Sequence, residues 1–362
     1  MARAETNAAE LLDAGMRPQR ATTRLREAIL GRLDELERDE GLPRREAMAQ
    51  LFPDVVLEQA TLDVLLTSLV SGNHLLILGP PGSGKTTLAK AVWDLYPKEL
   101  FVVADCPVHD DPFSLIDPAF AKRVPPCPYC RANHGGAALD QLDTFDPAQL
   151  DPADVPVRRV KLREGYGFAR VQGSPEVFPD NLTGSINLAR LEEVGDPTSP
   201  LVLEPGKVLQ AHRGLLLVDE VGKLPRGTQN VLLQALQEAI LSPAKSRETF
   251  PADVVAVCTS NLQDLANITE PLNDRVSNVH TPFPSEALSN RRIVDIGLAG
   301  REPLLHVPGP YRDAAVRLVM AWRNRMNGHG ELSEVGSNRT LIDIVTRTQS
   351  YALVTGDAAV DP

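Results

Sequence analysis

Residues 79–86 read Gly79-Pro80-Pro81-Gly82-Ser83-Gly84-Lys85-Thr86, and their reading decides the fold. They fit G-x-x-x-x-G-K-[ST], with Gly79, Gly84, Lys85 and Thr86 at the fixed places. The apolar run His74-Leu75-Leu76-Ile77-Leu78 comes immediately before and reads as a strand buried on both faces. Immediately after, Thr86, Thr87 and the residues to Asp94 form helices readily, with apolar positions at Leu88, Val92 and Leu95. Strand, glycine loop and helix thus arrive in the order that builds a phosphate cradle. Successive backbone N–H groups and the positive end of the helix dipole face the phosphate oxygens. Lys85 is placed to reach the β/γ-phosphates and the Thr86 hydroxyl to hold Mg²⁺. An ordinary glycine turn needs neither flank, so the sequence predicts a nucleoside triphosphate site.

Composition narrows the rest. A chain of 362 residues can bury one large core and a smaller second one. Its formal net charge of -11 argues against broad binding to nucleic-acid backbone. The first residues carry Glu5, Glu10 and Asp13 without an apolar core, so no signal peptide is read there. No stretch reaches the apolar length of a membrane span, and 4 cysteines are too few for a disulfide scaffold. The expectation is a soluble, cytoplasmic protein.

Outward from the loop, the pattern is of alternating apolar strands and helices, as in a parallel sheet covered on both faces. Strands are expected at 74–78, 100–104, 214–218, 254–258 and 277–280. Residues 1–48 form a helical extension in which Leu25, Ile29, Leu33 and Leu36 make one apolar stripe. Residues 49–284 form the nucleotide-binding α/β domain, and 107–205 is proline-rich and irregular. Residues 285–362 form a helical lid, with helices at 285–299, 311–326 and 338–355. Pro303, Pro308, Pro310, Gly328 and Gly330 separate them.

Two further strands end in polar residues. Leu215-Leu216-Leu217-Val218 runs into Asp219-Glu220, and Val254 to Ser260 runs into Asn261. In an open parallel sheet such residues emerge at the carboxyl edge, beside the phosphate loop. There Asp219 acts on Mg²⁺, Glu220 polarises the attacking water, and Asn261 orients it. Acidic doublets and strand-end asparagines also occur as plain turns; the upstream loop favours function.

The cysteines form a second constellation. Cys106-Pro107-Val108-His109 and Cys127-Pro128-Tyr129-Cys130 make C-x-x-H, seventeen residues, then C-x-x-C. Two such knuckles can close on one tetrahedral Zn²⁺, with His134 as a substitute for His109. A metal-free structural role and a redox role for Cys127-Cys130 stay open, although no thioredoxin-like pattern surrounds the pair. A zinc would pin the excursion 104–136. Cys258, inside an apolar strand, reads as core.

The loop at 79–86, the LLLVDE strand, the strand ending CTSN and the helical lid together resemble an AAA+ ATPase. More narrowly, Arg170 to Gly184 (RVQGSPEVFPDNLTG) is similar to MoxR-type ATPases, and Leu203 to Gly214 (LEPGKVLQAHRG) to the magnesium-chelatase ATPase subunit. Both belong to the helix-two-insert clade. The resemblance spans about residues 50–355. It implies a five-stranded parallel sheet with β-hairpin inserts, a pore- or partner-facing insert at 182–208, and ATP as the nucleotide. It also implies a homo-hexameric ring, with Arg275 of Leu272-Asn273-Asp274-Arg275 as an arginine finger acting on a neighbour's nucleotide. Arg339, opening the last lid helix, takes the sensor-two place; Arg291 and Arg292 read as solvated. The partner the clade implies is a von Willebrand factor A-domain protein, remodelled at the expense of ATP. The alternative is the ATPase subunit of a magnesium-chelatase-type metal insertion complex. Only Arg190 and Lys207 among several carboxylates in 182–208 make a nucleic-acid motor the weaker reading. A related group carries a C-P-x-H-x-x-P-like segment, which leaves room for Cys106 and His109 without metal. The pattern also implies one more lid helix after Gly356.

Overall fold

The computed structural model describes residues 4–139, 141–243, 246–301, 305–326 and 336–356. Its centre is a six-stranded sheet in the order Val276–His280, His74–Leu78, Val255–Ser260, Leu215–Asp219, Gly167–Gln172, Arg163–Glu164, with every neighbouring pair parallel. The three central strands are buried at every position, as a parallel sheet covered on both faces requires. Strand periodicity sorts their side chains into two cores. Leu76, Leu78, Leu216, Val218, Ala256 and Cys258 face the core that holds Cys106, Cys127 and Cys130. Leu75, Ile77, Leu215, Leu217, Val255 and Val257 face the other, shared with helices Ala21–Asp39, Gln59–Val70 and Lys85–Leu95. The apolar stripe Leu25, Ile29, Leu33, Leu36 is therefore spent on the main core.

One expected strand lies elsewhere. Glu99–Val103 pairs antiparallel with Pro156–Lys161, which also pairs with Thr6–Asn7, in a separate three-stranded sheet. Gly167–Gln172 takes the place beside Leu215–Asp219 instead. The sheet thus has six strands where five were expected, the sixth a two-residue edge. Between the sheets lies a buried charge group. Arg213 Nη2 meets Asp111 Oδ2 at 2.6 Å, and Arg24 Nη2 approaches the same oxygen at 3.6 Å. Arg24 Nη1 and the Tyr96 hydroxyl both donate to the Arg213 carbonyl oxygen, at 3.0 and 2.8 Å.

Within 182–208, Gly184–Ile186 and Leu203–Pro205 pair antiparallel around helix Leu188–Val194. Leu188 and Phe178 beside it are exposed. The last three helices, Ala287–Ala299, Gly309–Met326 and Asn338–Thr355, share a small core of their own. Arg323 ties them together: it donates to Gly336 O (2.6 Å), Asn290 Oδ1 (2.8 Å) and Asn338 Oδ1 (2.9 Å). Burial draws its pKa down to about 10. Asn338 in turn donates to Ser83 O at 3.4 Å, seating the helices on the phosphate loop. Pro303, Gly328, Gly330 and the expected helix beyond Gly356 lie outside the described residues. Among the described residues no helix is long and apolar enough to cross a membrane.

Candidate functional site

The glycine loop joins His74–Leu78 to a helix beginning at Lys85. Gly82 (φ +74°) and Gly84 (φ +98°) take left-handed conformations that favour glycine. At Gly79 the reason is space, since a Cβ would stand 2.5 Å from the Thr281 carbonyl oxygen. Lys85 is buried and donates to Gly79 O and Pro80 O at 2.9 Å and to Asn261 Oδ1 at 3.0 Å. Desolvation lowers its pKa, opposed by the nearby carboxylates of Asp219, Glu220 and Asp264. The Thr86 hydroxyl lies 3.1 Å from both Asp219 carboxylate oxygens.

The acidic doublet is held from the next strand. Thr259, wholly buried, donates to Asp219 Oδ1 at 2.5 Å and accepts the Glu220 backbone N–H at 3.0 Å. Glu220 is left-handed (φ 56°, ψ 49°), a conformation costing a non-glycine residue about 1–3 kcal/mol unless its surroundings enforce it. Here they do. Gly173 N donates to Asp219 O at 2.7 Å, and a Cβ on Gly173 would lie 2.1 Å from Glu220 O. The Glu220 carboxylate accepts from Gln172 Nε2 at 3.0 Å and pairs with Lys223 Nζ at 2.9 Å. Asn261 Nδ2 reaches Asp264 Oδ2 at 3.3 Å. Two hydrogen-bonded sets thus meet at the neighbouring residues Lys85 and Thr86: Lys85 with Asn261 and Asp264, and Thr86 with Asp219, Thr259 and Glu220.

Four residues bonded to these sets escaped the sequence reading: Arg170, whose Nη2 meets Asp219 Oδ2 at 2.7 Å, Gln172, Gly173 and Thr259. Their signal lies in the register that sets Gln172 opposite Asp219 and Cys258 opposite Val218. A cleft of about 340 Å³ opens between the loop and the last helices. Gly82, Ser83, Gly84 and Thr87 line one side, and Ile293, Ile296, Asn338, Arg339 and Ile342 the other; Val55 and Val56 close it. Its volume and apolar walls suit a nucleoside, and Arg339 is among the residues that line it. Arg275 is outside these sets: it is exposed at the end of helix Glu270–Asn273. Arg291 is engaged inside the helical layer, with Asp313 and Asp295.

Cys106, Cys127, Cys130 and Asp110 form a separate group whose donor atoms all lie within 4.8 Å of one another. The expected set had His109 where this group has Asp110. His109 has a left-handed backbone (φ 63°) and its ring lies against Tyr166, with centroids 3.3 Å apart. The neighbouring Asp110 is the residue grouped with the cysteines, and burial, with the adjacent Cys106 sulfur, pushes its carboxyl well above the usual range. His134 also stays outside the group. Cys258 is core, its thiol raised by burial to about 12.

Known proteins are similar to this chain over the stretches that carry these residues. A family model described as magnesium chelatase, subunit ChlI, matches residues 52–102, which contain the phosphate loop. A sigma-54 interaction domain model matches residues 198–274, which contain Asp219, Glu220 and Asn261. In fold, in site and in these two matches the chain is similar to AAA+ ATPases. Among curated proteins, the archaeal Lon protease of Thermococcus kodakarensis is 23% identical over 342 residues, covering 78% of this chain and 53% of its own. That of Methanocaldococcus jannaschii is 35% identical over 155 residues, covering 39% and 22%. The chain spans about half the length of these relatives or less. A solved structure of the complex between subunits BchI and BchD of magnesium chelatase superposes with a TM-score of 0.44 at 20% identity, over 85% of this chain and 90% of that one.

Proposed function

We propose that the chain is the motor of a ring-forming assembly, homo-hexameric in our reading, that couples ATP hydrolysis to the remodelling of a protein partner. One observation carries the reading: at the end of the phosphate loop Lys85 bonds Asn261, while the adjacent Thr86 bonds Asp219, which Thr259 ties to Glu220. The residues fit Mg²⁺. The 3.1 Å between Thr86 Oγ1 and the Asp219 oxygens matches the roughly 3.0 Å edge of an octahedron with metal–oxygen bonds of about 2.1 Å. When bound, Mg²⁺ supplies charge neutralisation on the phosphate oxygens. Lys85 turns from the loop carbonyls to the phosphates, and Asn261 follows it to hold the attacking water. Glu220, fixed at a strained backbone, takes that water's proton. Arg339 closes the cleft over the nucleotide.

Arg275 is exposed, and no ion pair joins it to another described residue. That suits a guanidinium delivered to the neighbouring subunit's site, where it would offset charge developing on the phosphoryl group. The likeness to archaeal Lon proteases favours a protein client, and a von Willebrand factor A-domain protein is the partner we expect. The magnesium chelatase match over 52–102 supports a second reading, the ATPase subunit of a metal insertion complex. The test is subunit mixing. Arg275→Ala and Lys85→Ala chains, each inactive alone, should regain part of the parent's phosphate release when combined. Mixtures as inactive as the separate variants would refute a finger acting across subunits.

A further inference from the structure

The group at Cys106, Cys127, Cys130 and Asp110 lies outside the nucleotide site, and nothing in the ATPase reading uses it. All three cysteines are free and at most 4% exposed, and Asp110 is 1% exposed. Thiols in an apolar core need no carboxylate among them, and a buried, unpaired carboxylate is costly. Asp110 Oδ2 accepts the Cys127 backbone N–H at 2.6 Å, but its Oδ1 is buried with no hydrogen-bond partner. That unpartnered oxygen belongs to a carboxylate whose ligand atom lies within 4.8 Å of three sulfurs, a donor set that a cation would satisfy.

The spacing gives the cation's identity. Cys106 Sγ and Cys127 Sγ are 3.7 Å apart, far beyond the roughly 2.05 Å of a disulfide. Zinc–sulfur bonds of about 2.3 Å at the tetrahedral angle set neighbouring sulfurs about 3.8 Å apart. Thiolate ligands select a soft or borderline ion over Mg²⁺ or Ca²⁺. The geometry points to a structural Zn²⁺ site held by Cys106, Cys127, Cys130 and the Asp110 carboxylate, with His109 excluded. The backbone supports it: Asp110 N donates to Cys106 Sγ at 3.3 Å, orienting the sulfur as outer hydrogen bonds do at metal sites.

The site also explains how an irregular, proline-rich excursion holds a buried salt bridge. Asp110 is followed by Asp111, whose carboxylate meets Arg213 and Arg24. Arg213 directly precedes Gly214 and the strand that ends at Asp219. Fixing the turn 106–110 to Cys127 and Cys130 therefore fixes Asp111 against the element that carries the acidic doublet.

Metal analysis of the whole purified chain, dialysed without chelator, should find one zinc per chain. X-ray absorption at the zinc edge should show three sulfurs at about 2.3 Å and one oxygen at about 2.0 Å, without imidazole scattering. Asp110→Asn should bind added Zn²⁺ at least ~100-fold more weakly, beyond what losing an outer-shell partner costs. His109→Gln and His134→Gln should keep it. Cys130→Ser puts a hydroxyl in the core and tests folding together with metal, so the parent's zinc content and absorption spectrum decide independently. Less than half an equivalent after incubation with Zn²⁺, imidazole in the shell, or full retention by Asp110→Asn would overturn the assignment.

Discussion

Thr259→Val tests whether the acidic doublet is positioned from the neighbouring strand. The side chain keeps its shape and loses one hydroxyl, which serves both Asp219 Oδ1 (2.5 Å) and the Glu220 N–H (3.0 Å). A hydrogen bond to a charged group contributes about 1.5–3 kcal/mol, and an orphaned buried N–H costs about 1–3 kcal/mol. The two losses overlap, since Glu220 can relax from its left-handed backbone; we take about 2–4 kcal/mol in stability. With an unfolding entropy of about 2.1 cal/mol/K per residue over 362 residues, the melting temperature should fall by about 3–5 °C. If the ~1.5–3 kcal/mol at Asp219 is lost from the hydrolytic transition state, turnover falls roughly 10- to 150-fold. ATP affinity should change much less, because Lys85 and the loop amides are untouched. Thr259→Ser, which keeps the hydroxyl, should restore most of both. The assays are steady-state phosphate release, binding of a fluorescent ATP analogue and thermal unfolding. Turnover within twofold of the parent at an unchanged melting temperature would refute the reasoning.

Gly173→Ala should drive a methyl into the Glu220 carbonyl, 2.1 Å from the ideal Cβ, and abolish phosphate release while ATP binding persists; parent-like turnover would contradict the close approach. Asp111→Ala leaves Arg213 and Arg24 buried without their carboxylate, a loss of about 3–5 kcal/mol read by urea unfolding. His74 is held neutral: Ala256 N donates to its Nδ1 at 3.2 Å, its Nε2 lies 3.3 Å from Leu236 O, and burial lowers its pKa to about 4. The unfolded chain takes up that proton first, so the contribution is intact above about pH 6.5. It drains away as pH falls toward 4, by about 3 kcal/mol in all. His74→Gln, neutral at every pH, should flatten that part of the stability profile; an unchanged slope would remove His74 as its source.

Motifs that act through adjacent residues were legible in the sequence. The phosphate loop announces itself because backbone amides, Lys85 and Thr86 must be contiguous. Asp219, Glu220 and Asn261 could be read because apolar strands end at them. The helix stripe from Leu25 to Leu36 likewise predicted burial, though not which core it would join. What escaped depends on pairing across space. An apolar run such as Glu99–Val103 does not say which sheet it enters, and Gly167–Gln172, with its arginine and glutamine, looked less like a central strand. Thr259, Arg170 and Gln172 acquire meaning only through the registers that bring them to Asp219 and Glu220. The cysteine knuckles show the same limit. C-x-x-H spacing named His109, but the left-handed backbone there turns the ring toward Tyr166 and brings the next residue to the sulfurs.

Convergence of these residues on one magnesium-triphosphate is tested most directly by Glu220→Gln, in paired measurements of nucleotide binding and single-turnover phosphate release. The neutral amide keeps the side chain's length and its contact with Gln172 but cannot accept the water's proton. The variant should hold ATP as tightly as the parent and release essentially no phosphate. Phosphate release at the parent's rate, or loss of ATP binding without loss of fold, would contradict the role given to Glu220 and the site built around it.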